Sequence, residues 1–330
     1  MNEYVIRYKN TSLPDLNQLK VSDTLLGEVF KRADLQGINI ADGFIISPES
    51  FRQFIEGIGL EDIRKRLIRK LDPDDPESIQ KLNQKLSKFI TEASMPAKVY
   101  DSIIAAYRDL YPDSNCNFVV RNNLLVSNSL NEWQKERIDV IWNNGGEKDL
   151  VKSVQKSFAS LYSDRILKKE PICSLNEFLV GVQLINSSEN TGYGFAYTAD
   201  PESGFPDVVH ISGGWGIGPE TLHEPDEAIV YKPNFVHGNK SIIQKMAGNK
   251  SLMMSFDDTG NGKMICTPSD LRQKFVLNDE EILTIANWGI ILENYFNNQI
   301  SLEWVRDGQT DELSILQVRP GQVKINKSQL

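Results

Sequence analysis

Cysteine, long apolar runs and an excess of basic charge are all scarce or missing in this sequence of 330 residues. Its three cysteines, Cys116, Cys173 and Cys266, lie far apart, and none forms a Cys-x-x-Cys pair. An odd, sparse set of this kind predicts reduced thiols rather than a disulfide framework. The amino-terminal segment has no apolar signal-peptide core, and no run approaches about 18 apolar residues. The sequence therefore predicts a cytoplasmic protein without a membrane span.

The charge balance is acidic, with 45 aspartates and glutamates against 36 lysines and arginines and a formal net charge of −9. Contacts to nucleic-acid phosphates need clustered lysine and arginine, so no nucleic-acid partner is expected. A single nucleoside triphosphate is not excluded, because a few local cations and a metal ion can neutralise it. The length allows one large two-lobed domain or two ordinary domains.

Strand and helix patterns alternate along the chain. Leu25, Leu26, Val29 and Phe30 recur at helical spacing before Gly37, and Ser47 followed by Pro48 is typical of a helix start. Asn278 and Glu281 have the spacing of a capping box. This mixture predicts an α/β or α+β protein. Strands are expected at residues 43–46, 118–121, 178–185, 194–198 and 207–211, and helices at residues 149–167 and 279–297.

Two glycine-rich or acidic segments carry weaker signals. Residues 213–218 do not fit Gly-x-Gly-x-x-Gly, so they predict a turn after a strand rather than a dinucleotide fold. The acidic residues Glu224, Asp226 and Glu227 predict a solvated loop.

The carboxy-terminal region predicts a β-hairpin with a polar face, formed by residues 300–305 and 313–318. Alternate side chains of a strand share a face, so Glu303 would lie diagonal to Gln317, with Arg319 beside it. A carboxylate and an amide oxygen suit Mg²⁺, and a guanidinium can hold a phosphate. The alternative is a solvated hairpin with a surface Glu–Arg pair.

These hairpin residues resemble a known family. The segments Ile300–Trp304 and Ile315–Pro320 resemble the "DIEW … ILQARP" ending of the phosphoenolpyruvate synthase, pyruvate phosphate dikinase and rifampin phosphotransferase family. Further similar segments follow the family order over about residues 20 to 320. They are residues 43–46, 158–165, 180–183, 194–204, 215–218 and 231–233.

The resemblance implies an ATP-grasp-like domain with ATP between two lobes, of which residues 1–185 form the amino-terminal lobe and residues 186–330 the carboxy-terminal lobe. Family members transfer a phosphoryl group from ATP to a histidine on a separate swivelling domain. ATP and Mg²⁺ are therefore the implied cofactors.

Positional match to the family motifs implies roles for individual side chains. Glu303 and Gln317 match Mg²⁺ ligands, and Arg319 matches a phosphate contact. Arg121 matches the arginine of "VRSS", another phosphate contact, and Gln183 matches a position near the adenine. Without the resemblance, Arg121 could equally form a structural ion pair, and Gln183 could be an ordinary strand residue.

Three departures from the family pattern affect the phosphate side. Ser22 occupies the position of a phosphate-binding lysine, for which Lys20 is the candidate substitute if the loop shifts. Asn122 and Asn123 replace a hydroxyl pair, and nothing near residues 133–138 matches the family's phosphate lid. Because phosphoryl transfer depends on positioning and charge stabilisation, these losses should weaken chemistry more than nucleotide affinity.

Three functions remain open at this point. The first is a phosphotransferase subunit acting on a histidine of a separate partner protein, since His210, His223 and His237 lack the family's phosphocarrier context. The second is a catalytically impaired nucleotide-binding protein that regulates a partner. The third is an enzyme that activates a small molecule directly with ATP.

Overall fold

The computed structural model describes residues 4–8, 37–60, 62–63, 75–110, 117–124, 140–143, 145–160, 178–185, 190–236, 242–257 and 262–320. They form an α+β protein of two compact units. The first unit contains residues 4–8 and those from Asp42 to Leu184, and the second contains residues 37–41 and those from Ile185 onward. Within these ranges no helix combines the length and apolarity needed to span a membrane. The helix expected around residues 25–30 lies outside the described residues.

A five-stranded sheet with helices forms the first unit. The strand order is β1-β2-β5-β3-β4, and β2 pairs antiparallel with both β1 and β5. The strands are β1 (Val5–Arg7), β2 (Gly43–Ile46), β3 (Asn117–Leu124), β4 (Val140–Asn143) and β5 (Phe178–Ile185). The helices are α1 (Pro48–Gly57), α2 (Pro76–Glu92), α3 (Ala97–Leu110) and α4 (Glu147–Ser160).

Helix α1 begins as the sequence predicts. The Ser47 side chain accepts a hydrogen bond from the Ser50 backbone N–H at 3.3 Å, and Pro48 occupies the first turn. The helix buries Phe51 and Phe54 against the ring of Phe158 in α4, with centroid distances of 5.0 and 5.3 Å. These aromatic contacts lie in the hydrophobic core of the first unit.

A six-stranded antiparallel sheet forms the centre of the second unit, in the order β13-β12-β6-β7-β8-β9. A separate hairpin is formed by β10 and β11. The strands are β6 (Gly192–Tyr197), β7 (Val208–Trp215), β8 (Asp226–Tyr231), β9 (Ile242–Met246), β10 (Leu252–Phe256), β11 (Gly262–Cys266), β12 (Ile300–Arg306) and β13 (Leu313–Pro320). The helices are α5 (Pro233–Val236), α6 (Ser269–Gln273) and α7 (Asp279–Phe296).

Helix α7 packs against β12, β6 and β7 on one face of this sheet. Its capping box is formed as predicted: Asn278 Oδ1 accepts from the Glu281 N–H at 2.9 Å, and Glu281 Oε2 accepts from the Asn278 N–H at 2.7 Å. Buried helix residues such as Ile285 and Leu292 face the sheet core. The opposite face of the sheet, called the open face below, carries Glu303, Gln317 and Arg319.

Residues 37–41 run beside the outer edge of β13. The Ile315 N–H donates to the Asn39 carbonyl at 2.9 Å, and the Ala41 N–H donates to the Ile315 carbonyl at 3.0 Å. The Asn39 side chain donates to the Leu313 carbonyl at 2.8 Å. These bonds satisfy backbone groups that an edge strand otherwise leaves exposed.

The glycine-rich segment corrects the sequence prediction in part. Gly213, Gly214 and Trp215 are not in a turn but belong to strand β7, and the turn begins at Gly216. Gly213 and Gly214 pair with β6 at positions where a side chain would collide with neighbours. Glycine is therefore used here for close packing between layers as well as for turning.

The solvated loop predicted for the acidic residues is also wrong at Glu227, which is a half-buried residue of strand β8, and at Asp226, which is buried at the start of that strand. Its carboxylate pairs with the buried Lys250 ammonium. It also accepts from the Gly248 N–H at 2.8 Å and the Val276 N–H at 2.7 Å. A buried carboxylate needs such compensation, because an isolated buried charge is strongly unfavourable. Glu224 is exposed, as predicted.

Candidate functional site

The final hairpin brings the predicted metal ligands together. Strands β12 and β13 pair antiparallel, and Glu303 lies directly opposite Gln317 rather than diagonal to it. The difference arises from a β-bulge, because Trp304 pairs with Ile315 and Leu316 is the extra residue. Bulges redirect side chains and occur near functional sites. The register thus places the two residues at directly opposite positions, where Cβ atoms are closer than at diagonal positions.

The hairpin's polar face is not the solvated surface of the alternative interpretation. Glu303 and Gln317 are only 3% and 8% exposed. Gln317 Oε1 accepts a hydrogen bond from Arg319 Nη2 at 2.8 Å. Arg319 is partly buried and lies opposite Ser301. A guanidinium has several donors in a planar fork, a geometry that suits phosphate oxygens.

A tyrosine that the sequence did not single out completes the surroundings of Glu303. The phenol of Tyr193, on β6, donates to Glu303 Oε1, and both residues are buried. They are separated by 110 positions in the chain. The contact could not be found by local spacing, because it depends on the pairing of β6 with β12.

Trp304 supports the hairpin from the helix-covered side of the sheet. Its ring is fully buried and lies over Gly194 and Gly213. A Cβ added at Gly194 would come within 2.4 Å of this ring and 1.9 Å of the Ser212 carbonyl oxygen. Because Gly194 and Gly213 have no side chains, the Trp304 indole can pack against β6 and β7. Glu303, the preceding strand residue, therefore faces the opposite side of the sheet, the open face.

Aromatic and polar side chains continue the open face beyond the hairpin. On β6, the rings of Tyr193 and Phe195 are 5.8 Å apart, and those of Phe195 and Tyr197 are 6.2 Å apart. Tyr197 in turn contacts His210, whose Nε2 lies 3.8 Å from a Glu227 carboxylate oxygen. The open face is thus half-buried and polar, with aromatic rings at its centre.

The turn after β6 is held by an aspartate with a perturbed pKa. The Ser203 hydroxyl donates to Asp200 Oδ1 at 2.7 Å and is the main reason why the pKa of the Asp200 carboxyl lies below its usual range. The backbone N–H groups of Ser203 and Glu202 lower this pKa further, at 2.6 and 3.2 Å, and His210 does so electrostatically. Burial acts in the opposite direction.

Arg121 and Gln183 lie in the first unit, on the neighbouring strands β3 and β5. Both are buried. Arg121 lies opposite Val140, and its guanidinium carbon is 5.9 Å from the centre of the Trp142 ring. Gln183 lies opposite Gly43 on β2. Lys20, Ser22 and the segment around residues 133–138 lie outside the described residues.

The oxygen donors of the hairpin fit a hard divalent cation that is bound partly by the protein and partly by the phosphates of a nucleotide. Glu303 and Gln317 provide a carboxylate and an amide oxygen, the ligand types that Mg²⁺ takes from proteins. In the part of the chain that the structure describes, no group of three or more histidine, cysteine, aspartate or glutamate side chains could hold a metal. Mg²⁺ usually keeps several waters and takes further ligands from phosphate oxygens.

Comparison with known proteins places this chain in a family. The pattern described as "Pyruvate phosphate dikinase, AMP/ATP-binding domain" matches residues 19–330. The chain belongs to this family. The hairpin with Glu303, Gln317 and Arg319 is thus part of an AMP/ATP-binding domain of the pyruvate phosphate dikinase type, and the family is one of phosphotransferases.

Curated relatives of the pyruvate phosphate dikinase AMP/ATP-binding family align with almost the whole chain. Phosphoenolpyruvate synthase of Pseudomonas aeruginosa is 28% identical over 99% of this chain and 43% of its own length. The Escherichia coli phosphoenolpyruvate synthase is 26% identical over 97% of this chain and 42% of its own. A probable phosphoenolpyruvate synthase of Methanocaldococcus jannaschii is 28% identical over 89% of this chain and 25% of its own length. The chain therefore spans less than half the length of these relatives.

Proposed function

We propose that this chain binds Mg²⁺–ATP at the final hairpin and transfers a phosphoryl group from it to a histidine of a separate partner protein. The observation that carries the proposal is the register that sets Glu303 opposite Gln317, with Arg319 bonded to that amide. Membership of an AMP/ATP-binding family supplies the nucleotide. Similarity to the phosphoenolpyruvate synthases named above supports the phosphotransfer role that we propose for this chain.

Each hairpin residue has a defined task in this proposal. Glu303 and Gln317 hold the metal, and Arg319 contacts a phosphate oxygen. Bound Mg²⁺ supplies charge neutralisation at the phosphates. Because Glu303 is nearly excluded from water, solvent would screen the attraction between its carboxylate and the bound metal ion only weakly. The fixed positions of these side chains meet the main demand of phosphoryl transfer, which is the positioning of charge.

Nucleotide contacts outside the hairpin belong to the same proposal. Arg121 is assigned to a phosphate and Gln183 to the adenine, as their sequence positions imply, and Lys20 is the candidate for the missing lysine of the family. Arg121 and Gln183 are buried polar residues on strands. Substitution of Gln183 should change the preference for adenine over guanine nucleotides, whereas substitution of Arg121 should weaken both.

A transfer assay tests the proposal directly. The purified chain is incubated with ATP labelled at both its β- and γ-phosphates, Mg²⁺ and candidate partner proteins encoded near it. The expected product is a partner carrying an acid-labile, base-stable label, and Glu303→Gln should lower the transfer rate by about 100-fold or more. Glu312→Gln makes the same chemical change at an exposed position of the same hairpin and should leave the rate unchanged. Equal rates for both variants would contradict the proposed metal site.

Nucleotide binding without turnover is the second candidate function. It is favoured by Ser22 in place of the family's lysine and by the absence of a matching phosphate-lid sequence near residues 133–138. Tight Mg²⁺–ATP binding with no label transferred to any partner would select this function over the first.

A further inference from the structure

Tyr193 lies on β6 and contacts a side chain of the neighbouring strand β12. It lies opposite Val305 of β12, while Glu303 lies opposite Phe195, two residues further along β6. Tyr193 and Glu303 are therefore diagonal neighbours on the open face, a spacing that long side chains can bridge. The phenol bridges it and donates to Glu303 Oε1.

The hydroxyl of Tyr193 has a separate role from its ring. The ring is fully buried and packs edge-on against Phe195 at 5.8 Å. Phenylalanine would keep this packing. The hydroxyl adds a charge-assisted hydrogen bond to a carboxylate that is almost fully buried.

A bond to one carboxylate oxygen orients the whole group. An ionised carboxylate has two oxygens with about four acceptor sites, and the phenol occupies one of the sites on Oε1. The plane of the carboxylate is then set by the tyrosine on one side and by the strand on the other. Glu303 lies opposite Gln317 in the register of β12 and β13, so the oriented carboxylate and the amide belong to neighbouring positions of one face.

We propose that Tyr193 is a positioning residue for metal binding: its hydroxyl fixes the Glu303 carboxylate in the orientation that receives the divalent cation of the metal–nucleotide complex. The inference rests on the proposed function, because it assumes that Glu303 and Gln317 hold that cation. Side chains that orient a metal ligand typically change metal affinity by about 10- to 100-fold when they are removed.

Calorimetric titration of Tyr193→Phe with a non-hydrolysable ATP analogue tests the inference. With Mg²⁺ or Mn²⁺ present, the variant should bind the analogue about 10-fold more weakly than the wild type, whereas in excess EDTA the two proteins should bind alike. Tyr197→Phe removes a hydroxyl from the same face of the same strand and should behave as the wild type. Equal weakening with and without metal, or no weakening with metal, would overturn the inference.

A double variant shows whether Tyr193 acts through Glu303. In a Glu303→Gln background, Tyr193→Phe should cause no further loss of metal-dependent affinity, because the group that it orients is already altered. If the losses of metal-dependent affinity in the two single variants added up in the double variant, Tyr193 would not act through Glu303.

Carbon-13 NMR separates failure of this inference from failure of the proposed function. In the metal-free protein, the side-chain carboxyl resonance of Glu303, assigned with Glu303→Gln, should move in Tyr193→Phe and stay in place in Tyr197→Phe. A wild-type protein that binds no metal–nucleotide complex would refute the proposed function. An unmoved Glu303 resonance in Tyr193→Phe would refute the positioning role alone.

Discussion

The Asp200 carboxylate holds the turn after β6 through three hydrogen bonds from Ser203 and Glu202. Because its pKa in the folded protein lies below that of the unfolded chain, its contribution to stability is present above the unfolded pKa. That contribution is lost as the pH falls through the folded pKa. The turn is therefore an acid-sensitive element close to the open face of the sheet.

Ser203→Ala should raise the pKa of Asp200, since the serine hydroxyl is the largest cause of its depression. An NMR titration of the Asp200 carboxyl resonance measures the change. Glu202→Gln alters a side chain of the same turn but keeps the backbone donor to Asp200, so this control should leave the pKa depressed. An unchanged titration in Ser203→Ala would show that the backbone donors are sufficient.

At the scale of elements, the Asp226–Lys250 pair joins the start of β8 to the segment between β9 and β10. Asp226 also binds the backbone at Val276, just before helix α7. Lys250 Nζ donates in addition to the Gly248 carbonyl at 3.0 Å. A single buried carboxylate thus connects three parts of the second unit.

Lys250→Met should reduce the free energy of unfolding by about 3–5 kcal/mol, because it leaves the buried Asp226 charge without its cation. Urea denaturation measures the loss. Lys81→Met removes an exposed i,i+4 ion pair with Glu77 and should cost less than about 1 kcal/mol. The double variant Asp226→Asn, Lys250→Met should recover part of the loss in unfolding free energy. If Lys250→Met alone cost as little as Lys81→Met, the buried pair would not be needed to compensate the Asp226 charge.

The elements show how much of the fold and site the sequence could predict. Strand β2, the start of helix α1, the capping box of helix α7 and the final hairpin follow from local signals, and each is confirmed. Local alternation could not reveal the bulge at Leu316, because it depends on how two strands pair. The burial of Asp226 and the Tyr193–Glu303 bond depend on partners far along the chain.

At the scale of the whole molecule, the predicted α+β class and the family membership are confirmed. The structure brings Glu303, Gln317 and Arg319 together in the second unit and places Arg121 and Gln183 on neighbouring strands of the first. Strand alternation and motif similarity both singled out the three hairpin residues, whereas Arg121 and Gln183 were identified through motif similarity. Their roles, and the division at residues 185 and 186 into two lobes, stay predictions.

Mg²⁺–ATP should raise the thermal unfolding temperature of the whole chain. A ligand that binds only the folded state at about 100 times its Kd stabilises it by about 2.7 kcal/mol. Differential scanning calorimetry should show a rise that increases with nucleotide concentration and is diminished by EDTA or by Glu303→Gln. A transition unaffected by millimolar Mg²⁺–ATP would contradict nucleotide binding by this chain.

The contact between residues 37–41 and β13 has a consequence for biosynthesis. Asn39 leaves the ribosome 274 residues before its partner Leu313, an interval of roughly 15 to 55 s at typical rates of translation. The early segment must therefore wait without its native strand partner while the intervening residues are made. Since Glu303 and Gln317 lie on the hairpin that contains Leu313, a nascent chain released before residue 300 would lack both the sheet edge and the proposed metal ligands.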